Sequence, residues 1–151
     1  MQNENTQQYQ DDHEKFYCRV NQIVRNGYIS ESFIDHYKTP DLILKAWKDA
    51  VESGVNYDHT IFEWDNDISI RGLIEMMILD EELKKITHWY NDFKIEIEKI
   101  DLELKKITLN EFERPNCQNW WEKRVLKDSE GEYKEHIKIF YSIDLDDYKN
   151  Q

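Results

Sequence analysis

His59 with Glu63, and His88 with Asp92, stand four residues apart, the spacing that can put two metal ligands on one helical face. A metal centre needs a third ligand of matching geometry, and no residue in the chain offers itself as one. These histidines therefore read as surface groups, and no metal is expected. Asp65-Asn66-Asp67-Ile68-Ser69 begins like a calcium loop. Ile70, however, stands where its sharp turn needs glycine, and Met76 where the bidentate glutamate belongs. That reading is rejected.

Nucleophilic and phosphate-binding chemistry fare no better. Cys18 follows Phe16-Tyr17 on an expected helix, with only Arg19 near it to activate a thiolate, so it reads as a packed thiol. There is no GxGxxG, GxxxxGK[ST] or GxSxG, and four scattered glycines do not build a loop that cradles phosphate. In a chain with 32 acids, a pair of carboxylates carries no specificity for acid–base catalysis. No enzymatic activity and no cofactor are expected.

One segment rises above its background. Between Lys48 and Arg71 there is no lysine or arginine, while Asp49, Glu52, Asp58, Glu63, Asp65 and Asp67 contribute half of the net charge of −12. Its centre, NYDHTIFEWDND, sets these acids among Tyr57, Phe62 and Trp64. Aromatic anchors with an acidic rim are the makings of an interface for a basic partner. The rings supply buried contact area, and the carboxylates steer and orient. The candidate partner-binding residues are Tyr57, Asp58, Phe62, Glu63, Trp64, Asp65 and Asp67. The competing reading tucks the aromatics into the core and uses the acids, Asp67 first among them, to cap helices. Asp144, Asp146 and Asp147 form a weaker acidic group that reads as a solvated tail.

The elements that would position these residues follow from periodicity and breakers. Residues 1–8 read as a disordered polar tail and 9–151 as a single globular domain. A helix from Tyr9 to Asn26 is stopped by Gly27, and Ser30 or Ser32 can cap a short helix through Tyr37. Thr39-Pro40 opens a helix that Gly54 closes. The form of 55–66 stays open. Asp67 is a cap for a helix beginning near Ile68.

From Met76 to Ile107 apolar residues recur at alternating spacings of 3 and 4, which predicts one long amphipathic helix over about 68–108, either unbroken or kinked near Asp80. Residues 93–109, FKIEIEKIDLELKKITL, also alternate like a strand, but the alternation breaks twice where no turn residue stands, so helix is preferred. Ile95, Leu102 and Leu109 form a second stripe, expected to be covered by the fold. They and the like charges at Glu96 and Asp101 disfavour a homodimeric coil, which stays possible.

Tyr133, Ile137, Ile139, Tyr141 and Ile143 share a strand face around a turn at Ser129-Glu130-Gly131, predicting a C-terminal β-hairpin over about 121–143. The fold class expected is therefore α+β, predominantly helical.

The acidic charge argues against direct binding of nucleic acid or of an anionic membrane. No apolar run approaches the length of a membrane span, the N-terminus lacks the features of a secretory signal, and two distant cysteines suit a reducing cytoplasm. Together these predict a small acidic cytoplasmic inhibitor of the immunity or antitoxin type, neutralising a basic partner such as a nuclease toxin. The alternatives are a nucleic-acid mimic that blocks a defence protein, which the lysines within 84–106 disfavour, and an enzyme or scaffold subunit without a recognisable motif.

Overall fold

The computed structural model describes residues 2–27 and 31–148, with side chains described for 5–27 and 34–148. Among them every regular element is a helix. They are α1 (Gln2–Gly27), α2 (Glu31–Tyr37), α3 (Pro40–Ser53), α4 (Ile61–Asp67), α5 (Ile70–Ile78), α6 (Glu81–Lys84), α7 (Thr87–Lys106), α8 (Trp120–Lys123) and α9 (Gly131–Tyr141), followed by a 3-10 turn over Leu145–Tyr148. No helix among the described residues is long and apolar enough to cross a membrane.

The expected α+β class is thereby corrected: among the described residues there is no strand, and the nearest approach is one isolated antiparallel bridge between Thr108 and Leu126. The predicted hairpin is instead α8, an extended link and α9. Tyr133 and Ile137, four apart, are both fully buried, whereas Ile139 is 70% exposed. A strand would have placed all three on one face, so period 3.6 prevails over period 2. The breaker Gly131 lies where the turn was expected but serves as the first residue of α9, with φ +54°. A Cβ there would stand 2.9 Å from the Asp58 carbonyl oxygen, so glycine is required twice over.

The helix predicted over 68–108 is three helices. Asp80 supplies the anticipated break: its carboxylate accepts from the Leu83 amide at 2.9 Å and caps α6. A second break falls at Lys85-Ile86. α7 contains most of FKIEIEKIDLELKKITL, so the helical reading of that stretch holds as far as Lys106. The heptad stripe is buried at Leu83, Tyr90, Phe93, Ile97 and Leu104, but Met76 and Leu79 are exposed, and α5 buries Leu73, Ile74 and Met77 instead. Ile95 and Leu102, expected under cover, are about half exposed, while Leu109 is buried.

Elsewhere α3 opens at Pro40, with the Leu42 amide donating to Thr39 Oγ1 at 3.3 Å, and ends before Gly54. α1 runs from Gln2 to Gly27, so Gly27 is its last residue. The caps proposed at Ser30 and Ser32 lie outside the described side chains. Cys18, read as packed, is an exposed free thiol.

Contacts cluster into two compact units. Unit 1 comprises residues 1–46 and 70–98. Its core joins Phe16, Val20 and Val24 of α1 to Ile74 and Met77 of α5, Leu83 of α6 and Phe93 and Ile97 of α7. The buried end of α5 is tied down by the Tyr90 hydroxyl, which donates to the Ile78 carbonyl at 2.7 Å. Unit 2 comprises residues 47–69 and 99–151. Its core joins Trp47 and Val51 of α3, Ile61 and Trp64 of α4, Leu104 of α7, Val125 and Leu126 of the link, and Tyr133 and Ile137 of α9.

Candidate functional site: the α4–α9 face

Every candidate interface residue lies in unit 2, on or beside α4. The local sequence explains that helix. Thr60 is its N-cap, accepting from the Glu63 amide at 3.0 Å, and Thr60-Ile-Phe-Glu63 has the Ser/Thr-x-x-Glu pattern of a helix start. Ile61, Trp64 and Ile68 follow at spacings of 3 and 4, and all three are buried. The open question over 55–66 is thus resolved as a loop followed by helix. Asp67, expected to cap the next helix, closes this one.

The structure divides the seven candidates. Tyr57 and Trp64 point inward, 4% and 1% exposed, and stack edge to face at 5.2 Å. Tyr57 also meets Tyr133 at 5.8 Å, and its hydroxyl donates to Asp67 Oδ2 at 3.2 Å. Burial, and then the nearby Asp67 carboxylate, hold the Tyr57 phenol well above its ordinary range, so it remains a neutral donor. Asp65 makes a bidentate pair with Arg114, at 2.6 Å from Nη1 to Oδ1 and 3.0 Å from Nη2 to Oδ2. Arg114, only 8% exposed, also donates to the Tyr141 hydroxyl at 3.0 Å and to the Glu122 carbonyl at 3.2 Å. Tyr57, Trp64 and Asp65 therefore hold unit 2 together.

The remaining four face solvent. Phe62 is 66% exposed, and Asp58, Glu63 and Asp67 are exposed beside it. His59 sits between two of the acids, 3.7 Å from Asp58 and 3.5 Å from Glu63.

Sequence reasoning missed the partner of this patch, α9. Phe62 meets His136 at 5.7 Å and Phe140 at 6.2 Å between ring centroids, and His136 meets Phe140 at 5.4 Å. His136 is also structural, because its Nδ1 accepts from the Ile61 amide at 3.3 Å and satisfies an N–H at the start of α4. Phe140 is 51% and Ile139 is 70% exposed. The helical spacing of His136, Ile139 and Phe140 was available in the sequence, but the strand reading concealed it.

The result is an aromatic and aliphatic surface, Phe62–His136–Ile139–Phe140, bordered by Asp58 and Glu63. Such a surface can bury rings against a partner and orient positive charge at its edge. Among the described residues, no three His, Cys, Asp or Glu side chains gather as metal ligands would. Comparison of the chain with protein-family models, with curated proteins and with solved structures finds no match.

Proposed function

We propose that this chain is a small protein-binding inhibitor of the immunity or antitoxin type, which acts in the cytoplasm and neutralises a basic protein, such as a nuclease toxin, through its α4–α9 face. The observation that carries the proposal is the pairing of Phe62 and Phe140, two rings more than half exposed, next to Asp58 and Glu63. Exposed phenylalanines gain free energy when a partner covers them, and hot spots gather around such anchors. The net charge of −12 selects a basic partner and accelerates its encounter at low salt.

An inhibitor of this kind is expected to be encoded beside its target, so the product of the neighbouring reading frame is the first partner to test. The two purified proteins are mixed, and complex formation and the partner's activity on nucleic acid are measured together. Stoichiometric binding with loss of that activity supports the reading. A partner that is not basic, or one that binds and keeps its full activity, contradicts it.

A further inference from the structure

The outward side of α9 carries the α4–α9 face beyond its rings. Glu132, Glu135, His136, Ile139 and Phe140 recur at spacings of 3 and 4, so they share one side of the helix. They form a stripe about 12 Å long, at about 1.5 Å per residue. A second side packs inward through Tyr133 and Ile137, both fully buried. The lysines take the third side and are held there: Lys134 meets Asp146 at 2.6 Å, and Lys138 meets Asp144 at 3.8 Å.

Charge on α9 is therefore segregated. Its lysines pair with acids in and just before the 3-10 turn, whereas Glu132 and Glu135 are exposed and form no ion pair among the described residues. The Glu132 amide donates to the Asp58 carbonyl at 3.3 Å, which brings Asp58 beside the first turn of α9. The stripe has two zones in consequence. Carboxylates stand at its N-terminal end. Ile139 and Phe140, 70% and 51% exposed, stand at the other, where Phe62 meets Phe140.

We infer that the occupant of this stripe is a basic amphipathic helix of the partner, laid antiparallel along α9. Lysines or arginines of its last turn face Glu132, Glu135 and Asp58, and apolar side chains one or two turns earlier cover Ile139, Phe140 and Phe62. The inference rests on the α4–α9 reading and names the element that the partner presents. Rows of side chains three and four apart are the ridges by which helices pack on one another. A docked strand would need a sheet edge, and there is none among the described residues. Cations are favoured in the last turn of a helix and acids in the first, so the antiparallel order puts both where the helix dipoles support them. A wholly apolar segment would cover two carboxylates without a counter-charge, which is costly. A second copy of this chain would bring another net charge of −12 against the first.

The test uses the full chain and the product of the neighbouring reading frame. Glu132→Gln combined with Glu135→Gln is expected to weaken binding about tenfold or more. Glu82→Gln combined with Glu98→Gln removes the same charge from unit 1 and is expected to change binding by less than about twofold. Ile139→Lys sets a charge against the partner's apolar side chains, and should also weaken binding about tenfold or more. All three variants change exposed side chains and should melt as the parent does by circular dichroism. In hydrogen exchange on the complex, the partner segment that gains protection is expected to be a helix with lysine or arginine in its last turn. Equal effects of the two double variants, unchanged binding by Ile139→Lys, or protection of a partner loop or strand would each overturn the inference. If Phe62→Ala still weakens binding in those cases, the α4–α9 reading itself stands. Absence of binding to any basic partner overturns both.

Discussion

Replacing Asp65 with alanine is expected to destabilise unit 2 rather than merely to remove a surface charge. The substitution leaves the Arg114 guanidinium, 8% exposed, without the carboxylate that meets it at 2.6 and 3.0 Å. Breaking a buried ion pair from one side costs about 3–5 kcal/mol because the remaining charge stays buried. Here the Asp65 side chain is 39% exposed, so water screens part of the interaction, and Arg114 keeps the Tyr141 hydroxyl and the Glu122 carbonyl. A loss of about 2–3 kcal/mol remains after that discount. For a chain of this length each kcal/mol lowers the melting temperature by about 2–4 °C, so Asp65→Ala should melt about 4–12 °C lower by circular dichroism.

Glu63→Ala, at a side chain 58% exposed, should move the midpoint by less than about 2 °C. Asp65→Ala combined with Arg114→Met should recover part of the loss, because the orphaned charge is removed with its partner. A midpoint for Asp65→Ala within about 2 °C of the parent would refute the structural role assigned to this pair. The distinction matters for binding experiments. Loss of partner binding after Asp65→Ala would report unfolding, so the face is probed through Asp58, Phe62 and Glu63 instead.

Ile137→Ala and Ile139→Ala should separate by their effects, because the former residue is fully buried and the latter 70% exposed. Denaturant unfolding is expected to show a loss of about 2–5 kcal/mol for the first and under about 0.5 kcal/mol for the second. Equal losses would restore the hairpin, in which the two share a face. Asp80→Asn addresses pH. The Arg19 guanidinium, against the cost of burial and with help from the Leu83 amide, holds the Asp80 carboxyl below its usual range. A depressed folded-state pKa contributes stability that is present above the unfolded value of ~3.9 and lost as pH falls through the folded one. Asp80→Asn should therefore cost about 1 kcal/mol at pH 7, with the gap from the parent closing below about pH 4. A gap that is constant from pH 7 to pH 3 would contradict the assignment.

Much of the helical architecture was legible in residue spacing. Thr39-Pro40 and Gly54 bracket α3, Asp80 marks a break, and the run from Leu83 to Leu104 predicts the buried side of α6 and α7. The C-terminal region was not, for a physical reason. In EYKEHIKIFYSI the residues two apart and the residues four apart are both apolar, and only the packing of Tyr133 and Ile137 against the rest of unit 2 selects one period. The candidate site was half legible. Charge located the right segment, but composition does not say which aromatic turns inward. Ile61, Trp64 and Ile68 did carry that information, because their 3,4 spacing assigns Trp64 to the core and leaves Phe62 outside. The contribution of α9 comes from residues more than seventy positions away, His136 against Ile61, and no local pattern encodes such a meeting.

The most direct test of the proposed inhibitory face is the affinity of the purified chain for the product of its neighbouring reading frame, measured by calorimetry for the parent and for Phe62→Ala. Phe62 has no buried role in unit 2 that its removal would disturb, so the variant should keep the parent's melting temperature. Binding to a basic partner should weaken about tenfold to a hundredfold, the usual cost of truncating an aromatic anchor. An affinity unchanged by Phe62→Ala, or the absence of binding to any basic partner, would contradict the assignment of the α4–α9 face.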